Sequence, residues 1–248
     1  KEVILPDDII VDTNLNNMFD GCTSLEKVYL PSSLTKIYLG MFLNCSSLVD
    51  INIPTGITFI ETDAFTKCSA LSGVLDLSRC DKLTNINRYS FSYTTNLDSV
   101  LFPTNRTIVC EGNIFYISGI KKAILPANLD LRNAGGMFVA CTNLSEVIID
   151  EGGEYIPTRM FDTCTALTKV IIPSTITDID RECLFKCSAM KTLIIKAVKP
   201  PTLSNNSFGY GFANTCNIYV PDESVEEYKI TYSNYSKQIY PLLSLLTE

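Results

Sequence analysis

A period of about 23 residues limits what this chain can fold into more than any other feature of its sequence. Phenylalanine recurs at Phe19, Phe42, Phe65, Phe91, Phe115, Phe138 and Phe161, with Leu184 holding the place before Phe208. The steps are 23, 23, 26, 24, 23, 23, 23 and 24 residues. Three residues after most of these stands Cys22, Cys45, Cys68, Cys141, Cys164 or Cys187, and three further on Leu25, Leu48, Leu71, Leu144, Leu167 or Met190. Self-similarity at such a fixed period marks a repeat architecture. No single unit can bury its own apolar face, so successive units must stack.

Within each unit, apolar and variable residues alternate up to a proline, as in Val28-Tyr29-Leu30-Pro31, Ile51-Asn52-Ile53-Pro54 and Val170-Ile171-Ile172-Pro173. Period two over a short run predicts a strand, and the proline, which lacks a donor for the ladder, ends it. Strands are expected to end at Leu5, Leu30, Ile53, Leu77, Phe102, Leu125, Ile149, Ile172, Ile195 and Val220. At about 4.8 Å per strand these make a row roughly 43 Å across, which suits one elongated domain. A second apolar pair follows each strand, such as Leu34 with Ile37 or Ile176 with Ile179. The unit from Leu71 to Phe91 carries three extra residues and has Cys80 in place of its proline, and the unit around Phe115 to Ile120 is one residue short. Those two coils are expected to bulge.

The L-x-x-V-x-L-P, T-x-I and A-F-x-x-C-x-x-L pattern resembles the BspA-like leucine-rich repeats of surface proteins from anaerobic bacteria and some protist parasites. The resemblance extends over essentially the whole chain. It implies a leucine-rich repeat solenoid, a right-handed superhelix dominated by β-structure, with one parallel sheet of about ten short strands and a C-terminal capping helix. Residues 1–221 would form the solenoid and 222–248 the helical cap of the same domain. The tail from Lys199, with Pro200-Pro201-Thr202-Leu203 and Ile218-Tyr219-Val220-Pro221, is similar to the closing segment of that family. The cap is also readable from its own residues. Ser224 and Glu227 have the spacing of a capping box, and Val225, Tyr228, Tyr232, Tyr235 and Ile239 fall on one helical face. Tyrosine rings there would cover the last coil and keep their hydroxyls wet.

Composition removes whole classes of function. A net charge of -7 with a pI near 4.7 argues against a nucleic-acid backbone as partner. The chain has no histidine, which excludes Ser-His and Cys-His triads and the common zinc hydrolases. No catalytic residue, metal site or cofactor is expected. Six of the ten cysteines occupy one repeat position and read as a ladder of small buried side chains, although coil spacing alone does not forbid disulfides. Cys80, Cys110, Cys183 and Cys216 lie off that ladder or at its edge, and no C-x-x-C occurs. Ser24 to Lys27, Ser33 to Lys36 and Ser188 to Lys191 match S-x-x-K, but two share one repeat register and the companion motifs of penicillin-recognising enzymes are missing. The acidic groups Asp7, Asp8 and Asp12, and Asp150, Glu151 and Glu154, lack the ligand spacing of a calcium loop and read as solvated turns. No run of eighteen apolar residues is present, so this segment is not expected to insert in a membrane. The opening Lys1-Glu2-Val3 starts inside a repeat strand, which suggests a trimmed chain with its export signal upstream of Lys1 and a location at the cell surface or outside the cell.

The middle residue of each strand should point away from the core. Down the stack these are Tyr29, Asn52, Asp76, Leu101, Ile124, Ile148, Ile171, Ile194 and Tyr219. A solvent-facing position would ordinarily be polar, yet five consecutive coils from Leu101 to Ile194 carry an aliphatic residue. Two readings stand: branched residues simply favouring strands, with lysine and threonine side chains covering them, or a contact surface. On the second, Tyr29, Leu101, Ile124, Ile148, Ile171, Ile194 and Tyr219 are the candidate partner-binding residues. The resemblance then implies a non-catalytic binding module for adhesion, or for host and matrix protein or glycan recognition. The alternative is a structural spacer or weakly self-associating segment of a longer surface protein.

Overall fold

The computed structural model describes residues 1–7 and 14–246. Asp8 and Asp12 of the first acidic group lie outside the described residues, as do Thr247 and Glu248 at the end of the expected cap. In chain order the strands of the first half are β1 (Glu2–Ile4), β2 (Lys27–Tyr29), β3 (Lys36–Ile37), β4 (Asp50–Asn52), β5 (Phe59–Ile60), β6 (Ser72–Asp76), β7 (Asn85–Ile86), β8 (Asn96–Leu101), β9 (Ile108–Glu111) and β10 (Lys122–Leu125). They continue as β11 (Leu129–Asn133), β12 (Glu146–Ile149), β13 (Tyr155–Ile156), β14 (Lys169–Ile172), β15 (Asp178–Ile179), β16 (Thr192–Ile195), β17 (Thr202–Leu203), β18 (Asn217–Val220) and β19 (Ile239–Pro241). Among the described residues, one α-helix, α1 (Val225–Thr231), and short 3-10 turns complete the fold.

The ten expected strands are present as a front row, and every ladder among them is parallel. Its hydrogen bonding runs in three blocks: β1-β2-β4, then β6-β8, then β10-β12-β14-β16-β18-β19. The two interruptions fall at the two irregular coils. Gly73 takes a left-handed φ of 74° and the β6–β8 register slips beside it, with β8 contributing one more residue. Across the second interruption the Lys121 N–H still reaches the Asp98 carbonyl at 2.8 Å.

A back row, formed by the second apolar pair of each coil, runs β11-β9-β7-β5-β3 and β13-β15-β17. In most of these pieces the second residue points inward, as Ile37, Ile60, Ile86 and Ile179 do. Between the rows, the phenylalanines from Phe19 to Phe161 stack coil on coil with ring centroids 5.1 to 5.9 Å apart. The cysteines pack beside them. Cys45, Cys68, Cys141, Cys164 and Cys187 each donate S–H to the carbonyl of the Phe one coil earlier, at 2.9 to 3.1 Å. None of the ten is in a disulfide, and all except the exposed Cys22 are buried.

Around each ring the chain turns tightly. Residues two before and two after the Phe position adopt φ of about +55° to +75°, among them Asp63 and Lys67, Tyr89 and Tyr93, Asn113 and Ile117, and Arg159 and Thr163. This lets backbone N–H groups of one coil bond the next, as Phe42 N–H does to Ala64 O and Lys67 N–H to Ser92 O, both at 2.9 Å.

The closing segment departs from the expected helix. α1 spans seven residues, and Ile239, expected on its apolar face, begins β19, which pairs with β18 as an eleventh front-row strand. The Ser224 side chain makes no cap hydrogen bond, so the capping box is not formed; Ser224 itself is buried. The tyrosine hydroxyls are not wet either. Tyr228 donates to the Ala197 carbonyl and Tyr232 to the Pro201 carbonyl, both at 2.7 Å and buried. Carbonyls at the end of a coil need donors once covered, and these hydroxyls supply them.

Candidate functional site

The ladder registers place the sequence-predicted column as expected: Tyr29 pairs with Asn52, Asp76 with Leu101, and Ile124, Ile148, Ile171, Ile194 and Tyr219 follow one another across β10 to β18. The inward neighbours Val147 and Val170 are buried, so the strands present the faces assigned to them. Exposure then separates the candidates. Leu101 and Ile124 are 48% and 56% exposed, Tyr29 is also exposed, and Ile148 and Ile171 are half-buried.

Ile194 and Tyr219 depart from expectation. They are 6% and 1% exposed, so neither presents a free surface. The cause is the eleventh strand. Tyr240 of β19 pairs with Tyr219 and sets its ring 6.0 Å from the Tyr219 ring, so Tyr219 becomes interior to the column, with Ile194 its ladder partner on the other side. Asn217 adds a contact at 3.2 Å to the Tyr219 hydroxyl. The exposed apolar stripe therefore runs from Leu101 to Ile171.

A charged ladder borders it. Glu146 on β12 lies 3.2 Å from the Lys122 ammonium and 3.0 Å from that of Lys169, on the two flanking strands. Hydrogen bonds from Lys169 and Lys122 hold its carboxyl below the usual carboxylate range. Lys122, Glu146 and Lys169 thus occupy the outward position next to Ile124, Ile148 and Ile171 on their strands. At the far end of the strands, Glu151 accepts from the Ser174 N–H and hydroxyl at 2.8 and 2.7 Å and faces Lys196 at 3.5 Å. The second acidic group thus includes an inter-coil clasp. Ser24, Ser33 and Ser188 of the S-x-x-K matches all sit exposed on turns. Among the described residues no helix is long and apolar enough to cross a membrane.

Sequence reading missed one feature of this face. Between β4 and β6 the front row opens, and the half-buried Ile51, Ile53 and Leu75 are uncovered there. The irregular spacing of the Leu71 unit was the available signal.

Stacked parallel coils of this period, with the Phe and Cys columns inside, define a leucine-rich repeat solenoid. The model of the BspA type leucine rich repeat region matches residues 1–72, 74–191 and 134–239, and the chain belongs to that family. Among solved structures, it is similar to a leucine rich repeat protein of T. pallidum, with 23% identity and a TM-score of 0.50 over 76% of this chain and 77% of that one. A leucine rich cell surface protein from Faecalibacterium prausnitzii is 18% identical with a TM-score of 0.44, over 97% of this chain and 86% of that one. These likenesses concern the fold. No curated protein matches the sequence significantly.

Proposed function

We propose that this chain is a non-catalytic binding module of a bacterial cell-surface or secreted protein, which holds an extracellular protein or glycan on the front sheet. Residues 1–221 act as the solenoid and 222–248 as its cap within one domain. The observation that carries this reading is the stripe Leu101, Ile124, Ile148 and Ile171: aliphatic side chains on the outward face of successive coils, with Ile124, Ile148 and Ile171 in register on paired strands, Leu101 and Ile124 exposed and Ile148 and Ile171 half-buried. Membership of a repeat family and the surface location named for the Faecalibacterium protein support it.

The test is Ile148→Asp combined with Ile171→Asp. Outward positions accept charge at little folding cost, whereas an inward position would not. The double variant is expected to melt like the wild type and to lose at least tenfold in affinity for a partner captured from extracellular matrix or a glycan array. Unchanged binding would move the contact elsewhere. Loss of a concentration-dependent dimer, seen by light scattering in the wild type and not in the variant, would instead mark the stripe as an assembly face.

A further inference from the structure

The opening between β4 and β6 leaves a ladder position vacant on each strand and has an apolar lining. Paired parallel strands lie about 4.8 Å apart, so a site for one inserted strand needs roughly twice that. No ladder joins β4 to β6, and their Cα atoms approach one another less closely than those of the paired front strands. The opening is local. Phe65 and Phe91, one coil apart beneath it, remain stacked at 5.1 Å, and on the back row β5 and β7 stay paired. The coils are therefore wedged apart on the front side alone, in the irregular Leu71 unit, where Gly73 takes its left-handed φ. The resulting cavity holds about 280 Å³.

Its walls differ from the rest of the row. Elsewhere, apart from Val3 of the terminal strand β1, the inward residue of each front strand from β2 to β18 is sealed, as Val28 at 1% and Val100 at 3% exposed show. Ile51 of β4 and Leu75 of β6, the two facing the opening, are half-buried, as is Ile53, and Val74 at the lip is exposed. Each strand also presents one edge of N–H and C=O groups to the gap without a ladder partner. On the outward side the rim is acidic: Asp50 on β4, with Lys27 3.8 Å away, and Asp76 on β6, which accepts from the Ser78 N–H and hydroxyl at 2.9 and 2.6 Å.

We propose that this groove binds an extended segment of another protein as an inserted β-strand, with aliphatic side chains directed inward against Ile51 and Leu75 and lysine or arginine directed outward between Asp50 and Asp76. Strand insertion takes its affinity from main-chain hydrogen bonds and its specificity from alternate side chains. Here the inward positions call for branched aliphatics, and the acidic rim calls for cations. The groove does not use the Leu101 to Ile171 stripe, so it stands apart from the function proposed above.

The probe is a fluorescein-labelled hexapeptide, acetyl-Lys-Val-Lys-Val-Lys-Val-amide, titrated into the full chain by anisotropy, with amide hydrogen exchange to locate it. Saturable binding with slowed exchange in Asp50–Ile53 and Ser72–Asp76 is expected. Asp50→Lys with Asp76→Lys, both at exposed positions and checked for unchanged melting, should weaken binding at least tenfold, and a probe with proline at its third position, which breaks the ladder, should weaken it comparably. Absence of binding at millimolar peptide overturns the proposal. So does equal affinity for the proline probe, which would show charge attraction alone. Protection confined to Ile124–Ile171 would place the peptide on the stripe and overturn the groove without touching the stripe. Protection of β4 and β6 that grows with protein concentration in the absence of peptide would show a second copy as the occupant, and overturn it as well.

Discussion

Cysteine suits its ladder position because it is small, apolar in bulk and still a weak donor. The carbonyl it reaches already accepts the backbone N–H of the cysteine in its own coil, as Phe42 O does from Cys45 N–H, and Cys68 adds a second donor from the next coil. Burial raises these thiols well above their usual range: Cys141 is pushed up to about 11, and Cys45 and Cys187 to about 12. The consequence is a specific alkaline weakness. Above about pH 8.5 the unfolded chain loses thiol protons that the native state keeps, so the unfolded state binds fewer protons and stability falls as pH rises. Each such thiol contributes a slope of up to about 1.4 kcal/mol per pH unit between its unfolded and folded values. Urea midpoints measured from pH 7.5 to 10 should therefore fall, and fall less steeply in a Cys141→Ala, Cys187→Ala variant; parallel curves would show that these thiols do not govern the response. The rings carry more. Phe138 touches the rings of both neighbours, at 5.4 and 5.9 Å, and Phe138→Ala should cost about 3–5 kcal/mol in urea denaturation because the cavity opens onto two coils. The inward residues were legible in the sequence because the same environment recurs every coil. The S–H acceptors were not, since they belong to a neighbouring coil's backbone.

Among the elements, the front strands were readable and the back strands and turns were not. A two-residue strand such as Lys36–Ile37 is too short to display period two, and it exists because its neighbours align it. The left-handed turn positions are hidden for a different reason. They hold asparagine and glycine in some coils, but lysine, tyrosine, arginine and isoleucine in others, because stacked backbone hydrogen bonds impose the conformation whatever the side chain. A residue with a Cβ is therefore held there against its preference, at about 1–2 kcal/mol. Lys67 is a clean instance, exposed and at φ 63°. Lys67→Gly should raise the free energy of unfolding by about 0.5–1 kcal/mol after the added freedom of the unfolded glycine is subtracted, and Lys67→Val should lower it. Equal stability of the two variants would mean that the turn relaxes instead of storing strain. The same logic of coil geometry overriding local signal explains Ile194 and Tyr219: alternation correctly assigned their face, a strand contributed from 21 residues downstream covers Tyr219, and Tyr219 is the register partner of Ile194.

At the scale of the whole molecule, a stack of parallel coils has two ends, and each exposes a ladder edge and a cross-section of core. At the C-terminal end the last ring column is closed by tyrosines: Phe208 lies 4.9 Å from Tyr235 and 6.4 Å from Tyr232 between ring centroids, while β19 completes the front ladder beyond β18. α1 brings Tyr228 and Tyr232 over the carbonyls of Ala197 and Pro201, which would otherwise be buried without donors. The sequence announced a tyrosine-rich apolar face, but not that the chain would leave the helix after seven residues, since Val225, Tyr228, Tyr232, Tyr235 and Ile239 fit a continuous helix equally well. The difference has a measurable consequence. Deleting the chain from Asp222 onward removes a strand as well as a helix, so it should uncover both the β18 edge and the Phe208 ring. The truncated protein is expected to form concentration-dependent oligomers in light scattering, to melt at lower temperature, and to lose exchange protection first in β18 and then in β16. A monomeric truncation with unchanged melting and full protection of β18 would show that the final coil is self-sufficient, and that the terminal strand and helix decorate an end already closed.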